Sequence, residues 1–429
     1  ARGENVITDA ARAAWPAIAL LGAWLLLLLL HWVPLPAALV QVLSPQAAAL
    51  HAGANYLGPP GRWIWLSVDP HSSFDFWLKS CAYATAFCLV LLLVHGRHRL
   101  AWLCFAIVAT GLLQAFAGGL LHLGRVDLNV LGIPVQNAQQ ASGTYVGRNH
   151  LAGLLEMSLA IGVGMMIAQL EDRPGRTWRR FLRDTAELMI SGKAVLRLAL
   201  VIMVIALVLT RSRMGNTAFF VSLLVAGTLA LALSRRAPRS TVVFIASLIV
   251  VDLVLVGAWF GVERTMQRIA ETTASSAAGR ADVVAGAWQI FRDHPLFGAG
   301  AGTFYTAFTR YRSAGVDAFY DHVHNDYAQF LAETGVLGAG LMAAFALAAL
   351  ACAVLAQARR HDRLARGVAF GVVMGVTAIG IHSAVDFNLQ IPANAFVFVV
   401  LLALGWLSLH LRHHLPEPRP GGATLPPPF

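Results

Sequence analysis

The feature that most constrains this chain is the recurrence of apolar runs long enough to cross a lipid bilayer. A spanning helix needs about 20 mostly apolar residues, because the hydrocarbon core offers no water to the backbone. Ten such runs lie near residues 14–33, 76–95, 100–121, 149–169, 195–210, 215–233, 241–260, 326–356, 368–385 and 392–412. The segment 34–58 is apolar but broken by prolines and can hold one or two further embedded pieces, so ten to twelve spans are expected. Only 13% of the 429 residues are charged and 57% are hydrophobic. A soluble domain carries roughly 25% charged residues, and a disordered chain cannot hold so much apolar surface. The expected fold is therefore an all-α polytopic membrane protein. It forms a single transmembrane domain over 1–413 and includes an outer loop at 261–325 with short helices. A disordered Pro- and Gly-rich tail follows at 414–429.

The formal net charge of +10 has a topological reading. With the N-terminus in the cytoplasm, most of the 32 Lys and Arg fall in cytoplasmic connections, cleanly so in short ones such as Ser234 to Arg239. Both termini are then cytoplasmic, and no nucleic-acid partner is needed to explain the charge. The four cysteines, Cys81, Cys88, Cys104 and Cys352, all sit in apolar runs, so neither a disulfide framework nor a cysteine metal site is indicated.

Several arginines lie on the outer side, where topology gives no reason for them. Arg148 stands at the mouth of one span, Arg211 and Arg213 share a tight turn between two spans, and Arg280 follows Gly279 in the outer loop. Each can hold a lipid headgroup. A two-arginine turn at membrane depth is a costly place for idle charge, however, and converging guanidinium forks suit a diphosphate. The stretch Asp321-His322-Val323-His324-Asn325-Asp326-Tyr327 enters the eighth span. A two-residue spacing on a helix turns two imidazoles about 200° apart, which disfavours a shared metal and leaves a single His as proton acceptor or as a helix cap. No DxD-type carboxylate pair is present on the outer side to hold a metal against a departing diphosphate; arginines are the available substitute.

Five pieces together resemble a known family. They are Arg148-Asn149-His150-Leu151-Ala152-Gly153; Ser212-Arg213-Met214-Gly215; Gly279-Arg280 through His294-Pro295-Leu296-Phe297-Gly298-Ala299-Gly300; His324-Asn325-Asp326-Tyr327 through Glu333-Thr334-Gly335; and His382-Ser383-Ala384-Val385-Asp386-Phe387 with Pro392-Ala393-Asn394. In order, spacing and outward placement this set is similar to the bacterial O-antigen ligases. That superfamily also holds the O-antigen polymerases and protein O-oligosaccharyltransferases. The resemblance covers roughly residues 143–394.

The resemblance implies an all-helical, GT-C-like membrane glycosyltransferase in lipopolysaccharide biosynthesis. It would move O-antigen polysaccharide from undecaprenyl diphosphate to a sugar hydroxyl of lipid A–core, at the periplasmic face of the bacterial inner membrane. Such enzymes invert the anomeric centre and use neither metal nor cofactor. Arg148, Arg213 and Arg280 would hold the diphosphate, with Arg211 assisting, and His324 would orient or deprotonate the acceptor. Arg213 and Arg280 would also stabilise the leaving charge. Asn325 and Asp326 read as support for the local geometry, and His150, His382 and Asp386 as packed polar residues. Asn325, His382 and Asp386 remain possible acceptor contacts, as do Arg310 and Arg312 near the acceptor's phosphates. The loop aromatics Trp288, Phe291, Phe304, Tyr305, Tyr311 and Tyr320 are expected to pack in the helix core or at the interface, with stacking on sugars as the sharper alternative. The polymerase is the second reading. The protein O-oligosaccharyltransferase is a further alternative within the superfamily, and a transporter of anionic lipids, which would show interrupted spans or an internal repeat, is less favoured than either.

Overall fold

The computed structural model describes residues 8–54, 61–124, 141–169, 192–233, 271–313, 316 and 319–411. Among the described residues, eight helices are long and apolar enough to cross a membrane: Trp15–Trp32, Pro70–Leu93, Arg97–His122, Arg148–Ala168, Arg213–Leu233, Asp326–Arg359, Arg363–His382 and Pro392–His410. A ninth apolar helix, Gly192–Leu209, matches the run near 195–210. The run near 241–260 and the tail 414–429 lie outside the described residues. The chain is an all-α polytopic membrane protein. The apolar segment after the first span adds no crossing. It forms two helices, Ala37–Leu43 and Pro45–Ala54, both far shorter than a bilayer requires. A two-residue antiparallel pairing sets Leu35 opposite Ile64 and Pro36 opposite Trp63, and encloses them.

Polar residues at the span ends explain where the helices begin. Asp69 caps Pro70–Leu93 by accepting from the Ser72 amide, Asn325 caps Asp326–Arg359 from the Ala328 amide, and Asp362 caps Arg363–His382 from the Ala365 amide. At one end of the bundle Arg97 pairs with Asp362 at 3.4 Å, and Arg360 donates to the Leu411 carbonyl at 2.6 Å. That ties together the turns before Arg97 and after Arg360. Antiparallel alternation then brings the start of the Arg148 helix, the turn 210–212, the start of the Asp326 helix and the connection 383–391 together at the opposite end.

The Arg148–Ala168 helix is the buried axis of the bundle, and Arg363–His382 is the next most enclosed span. They pack closely because Gly164 and Gly367 oppose one another: a side chain on either would run into the other's backbone. Small residues at a helix crossing allow this approach within a bilayer.

Over the Arg148 end lies the helix Glu271–Asp293, then a glycine-rich turn, then the short helix Phe304–Phe308. Val283, Ala287, Ile290, Phe304, Phe308 and Val323 form a separate apolar core beneath this cover. His31 of the first span anchors the turn with both ring nitrogens, bonding the Phe297 carbonyl at 2.9 Å and accepting from the Ala301 amide at 3.3 Å. The Asp326 helix breaks its regular geometry at Gly335, whose φ is +63°.

Candidate functional site

Four arginines from three segments share one electrostatic neighbourhood. The Arg148 guanidinium interacts through charge with those of Arg280, Arg213 and Arg211, and with the Asp386 carboxylate. Arg148 is the first residue of its helix and Arg213 of the next spanning helix but one, so both project at helix N-termini, where the backbone dipole also favours anions. Arg211, Arg213 and Arg280 are exposed, and Arg148 is partly so. Arg211 adopts a left-handed backbone, φ +53°, which a non-glycine residue holds only when its surroundings impose it. Four positive charges so placed can bind a doubly charged anion through several forked hydrogen bonds.

Beside them stands His324, the second of the two non-glycine residues with positive φ (+56°) among the described residues. Its Nδ1 lies 3.7 Å from Asp386 Oδ1, and its side chain keeps 21% of its surface exposed against 3% for Asp386. The carboxylate thus sits behind the ring, and the ring faces outward. Asp386 also draws His150, whose Nε2 is 3.9 Å away, and accepts from Asn149 Nδ2 and from the Phe387 amide at 2.8 Å. Burial alone would raise this carboxyl. The adjacent His324, followed by His382, the Phe387 amide and His150, outweighs it and brings Asp386 down to about 2. Asp386 therefore stays ionised and can orient an imidazole that takes a proton.

The Phe387 ring organises the histidines. His322 stacks on it at 4.5 Å, and His324 and His150 meet it edge-on, each at 4.7 Å. His322 turns its Nδ1 to Gln329 at 3.0 Å, so the two rings of the HxH segment serve different partners. Burial lowers the pKa of His322, against the pull of Asp321. Among the described residues no group of three or more His, Cys, Asp or Glu is arranged to hold a metal ion.

Asn325 and Asp326 hold this turn. Asn325 donates to the Ala384 carbonyl at 2.9 Å while capping its own helix. Buried Asp326 accepts from the Ser383 hydroxyl at 2.7 Å and the Leu389 amide at 3.1 Å. Two further side chains carry the frame outward. Gln329 accepts from the Val323 amide and donates to Glu333, which in turn accepts from the Gly302 and Phe304 amides at 3.0 and 3.1 Å. Glu333 thereby fixes the glycine-rich turn to the helix that follows His324. Within the sequence motif it had no assigned task.

His382 is fully buried, and its Nδ1 meets Glu156 Oε1 at 2.7 Å. From there it underlies the site and does not face it. Asp386 is likewise enclosed, so both bear on the chemistry through neighbours. Glu156 is the residue that sequence reasoning passed over. The available signal was a lone carboxylate in the middle of an apolar span, where a charge is expensive enough to mark function. Arg310 and Arg312 are exposed on the cover. Arg312 donates to the Val316 carbonyl at 2.7 Å, and Arg310 acts on Tyr311 and His294, so neither joins the Arg148 group.

A family model described as O-antigen ligase matches residues 198–343. The match spans Arg211, Arg213, Arg280 and His324, whereas Arg148, His382 and Asp386 lie outside it. No curated protein matches the chain.

Proposed function

We propose that this chain is a member of the O-antigen ligase and polymerase superfamily of glycosyltransferase-like enzymes and, within it, a ligase that moves O-antigen polysaccharide from undecaprenyl diphosphate to a sugar hydroxyl of lipid A–core. The observation that carries this reading is the meeting of Arg148, Arg211, Arg213 and Arg280 beside a partly exposed His324 backed by Asp386. In the proposed reaction the anomeric C–O bond to the carrier diphosphate breaks and its electron pair leaves with the phosphate. The acceptor oxygen forms the new bond at the opposite face and gives its proton to His324. Arginines replace a metal ion in stabilising the departing charge, the largest single contribution available to such a site. Asp386 keeps the His324 ring in place and stabilises it once protonated. A site of this kind lies at the periplasmic face of the inner membrane, with both termini cytoplasmic. The Lys and Arg bias of the short connections supports that placement.

The test is transfer by purified protein in EDTA, offered undecaprenyl diphosphate-linked glycan and lipid A–core. Glycan on the core, lost with His324→Ala or Arg280→Ala, is the expected result. Elongated carrier-linked glycan with an untouched core would make the protein a polymerase, with the arginine assignment retained and the acceptor assignment discarded.

A further inference from the structure

The structure separates the loop aromatics into packed and free. Phe304 is buried and stacks on Phe308 at 5.0 Å, and the Tyr311 hydroxyl is held by Asp293 at 2.7 Å. Trp288 leans on Phe291 along the Glu271–Asp293 helix, about two turns or roughly 12 Å beyond Arg280. Trp288 is exposed but its partner Phe291 is half-buried, whereas in the Tyr305–Phe319 pair both rings are exposed. Their rings meet at 5.1 Å and 45°, and they are 52% and 73% exposed, which leaves an open apolar face made by two separate segments.

That face stands one residue along the chain from a ring that reaches the site. Phe319 adjoins Tyr320 in the chain, and the Tyr320 ring meets His324 edge-on at 5.9 Å and 89°. Tyr320 also lies over the residue before Arg280: a Cβ at Gly279 would stand only 2.8 Å from the Tyr320 hydroxyl oxygen. The aromatic run Tyr305, Phe319, Tyr320 thus leads from the exposed surface to the His324 ring along the edge of the helix that carries Arg280. Asp321, 61% exposed in its side chain, supplies a carboxylate beside it. A pyranose ring has an apolar C–H face and a rim of hydroxyl donors. An exposed aromatic pair next to the Asp321 carboxylate, which faces His322 Nε2 at 4.0 Å and is otherwise open, offers a surface for each.

We infer that Tyr305 and Phe319 form a binding platform for a sugar ring of the acceptor glycan, delivered past Tyr320 to His324, with Asp321 accepting hydrogen bonds from its hydroxyls. The acceptor is favoured over the donor glycan because the ring contact at the end of the run is made to His324, while Tyr320 touches only the Gly279 position beside Arg280. The assignment of acceptor to this side rests on the reading of His324 given above.

Two measurements test it on the full-length protein in detergent, with Tyr305→Ala, Phe319→Ala and Phe319→Trp, all at exposed positions. Saturation-transfer NMR with core oligosaccharide freed of lipid A reads binding without requiring turnover. Steady-state transfer reads the acceptor KM. The alanine variants should weaken oligosaccharide contact several-fold and raise the acceptor KM about tenfold, with kcat and the donor KM unchanged and Phe319→Trp close to wild type. Wild-type oligosaccharide contact in both alanine variants would overturn the platform, and so would a raised donor KM with the acceptor KM unmoved. Wild-type protein that binds the oligosaccharide through this pair yet transfers nothing would overturn the ligase reading and leave the platform standing.

Discussion

Glu156 and His382 meet at 2.7 Å with both side chains fully buried, joining two spans at the centre of the bundle directly beneath the site. Glu156 also lies against Gly215, in the first turn of the helix that Arg213 begins. The pair therefore links the arginine turn to the connection that carries Asp386. Removing one member of a buried pair strands the other, at a cost of about 3–5 kcal/mol. Glu156→Leu and His382→Phe should each lower the thermal midpoint in detergent markedly, and the double variant should recover part of the loss. Additive losses in the double variant would show that the two residues act independently.

Acid should act through Asp386. Its pKa is depressed in the fold, to about 2, against about 3.9 in an unfolded chain. The folded state then binds fewer protons than the unfolded state between these values. The stabilisation is complete above about pH 4 and is lost as pH falls toward 2. Asp386→Asn should be less stable than wild type at pH 6, and the gap should narrow as the pH is lowered through 4. A constant gap across that range would show that the charge of Asp386 contributes nothing to stability.

The arginine group predicts a chemical selectivity. Arg213→Ala and Arg280→Ala should abolish transfer while leaving the protein folded. Arg280→Lys should remain impaired, since an ammonium cannot reproduce a planar fork. EDTA should leave the wild-type rate unchanged, and strong inhibition by EDTA would return attention to His322 and His324 as metal ligands.

His324→Ala should lower kcat by about 10²–10⁴-fold, the range expected when a positioned proton acceptor is lost, with little change in donor KM. A loss confined to donor KM would move His324 from the acceptor to the diphosphate.

Two glycines predict a local failure. Gly298 and Gly335 both have positive φ, and each backbone lies against the strand of chain carrying the other, Gly298 on Glu333 and Thr334, Gly335 on Leu296 and Phe297. Alanine at either position meets both a disfavoured conformation and the opposing backbone. Gly298→Ala and Gly335→Ala should loosen the cover over the site, seen as faster limited proteolysis after residue 293 than in wild type. Wild-type protection would mean that the two segments can separate without consequence.

The histidines show how far the sequence could be followed. His324 was legible because it stands at the end of a span, among polar residues that a bilayer would otherwise exclude. Its partner was not: Asp386 lies 62 positions later, and only the docking of the connection 383–391 onto the Asp326 helix puts the carboxylate behind the ring. The turn Arg211 to Arg213 was legible as an anomaly of charge, but not its meeting with Arg148 and Arg280.

Sequence alone located the apolar helices found among the described residues, because crossing a bilayer is a property of each run of some 20 residues taken by itself. It also displayed the Lys and Arg bias of the short connections, and the arginines which that bias leaves unexplained, since charge near a membrane acts locally. Tertiary structure decided which of these residues meet. The Glu156–His382 pair and the carboxylate behind His324 depend on how segments distant in the chain pack, and the exposed pairing of Tyr305 with Phe319 on how the segment before the Asp326 helix folds back on itself. That packing rests on small-residue crossings such as Gly164 on Gly367, whose consequences no single stretch of sequence contains.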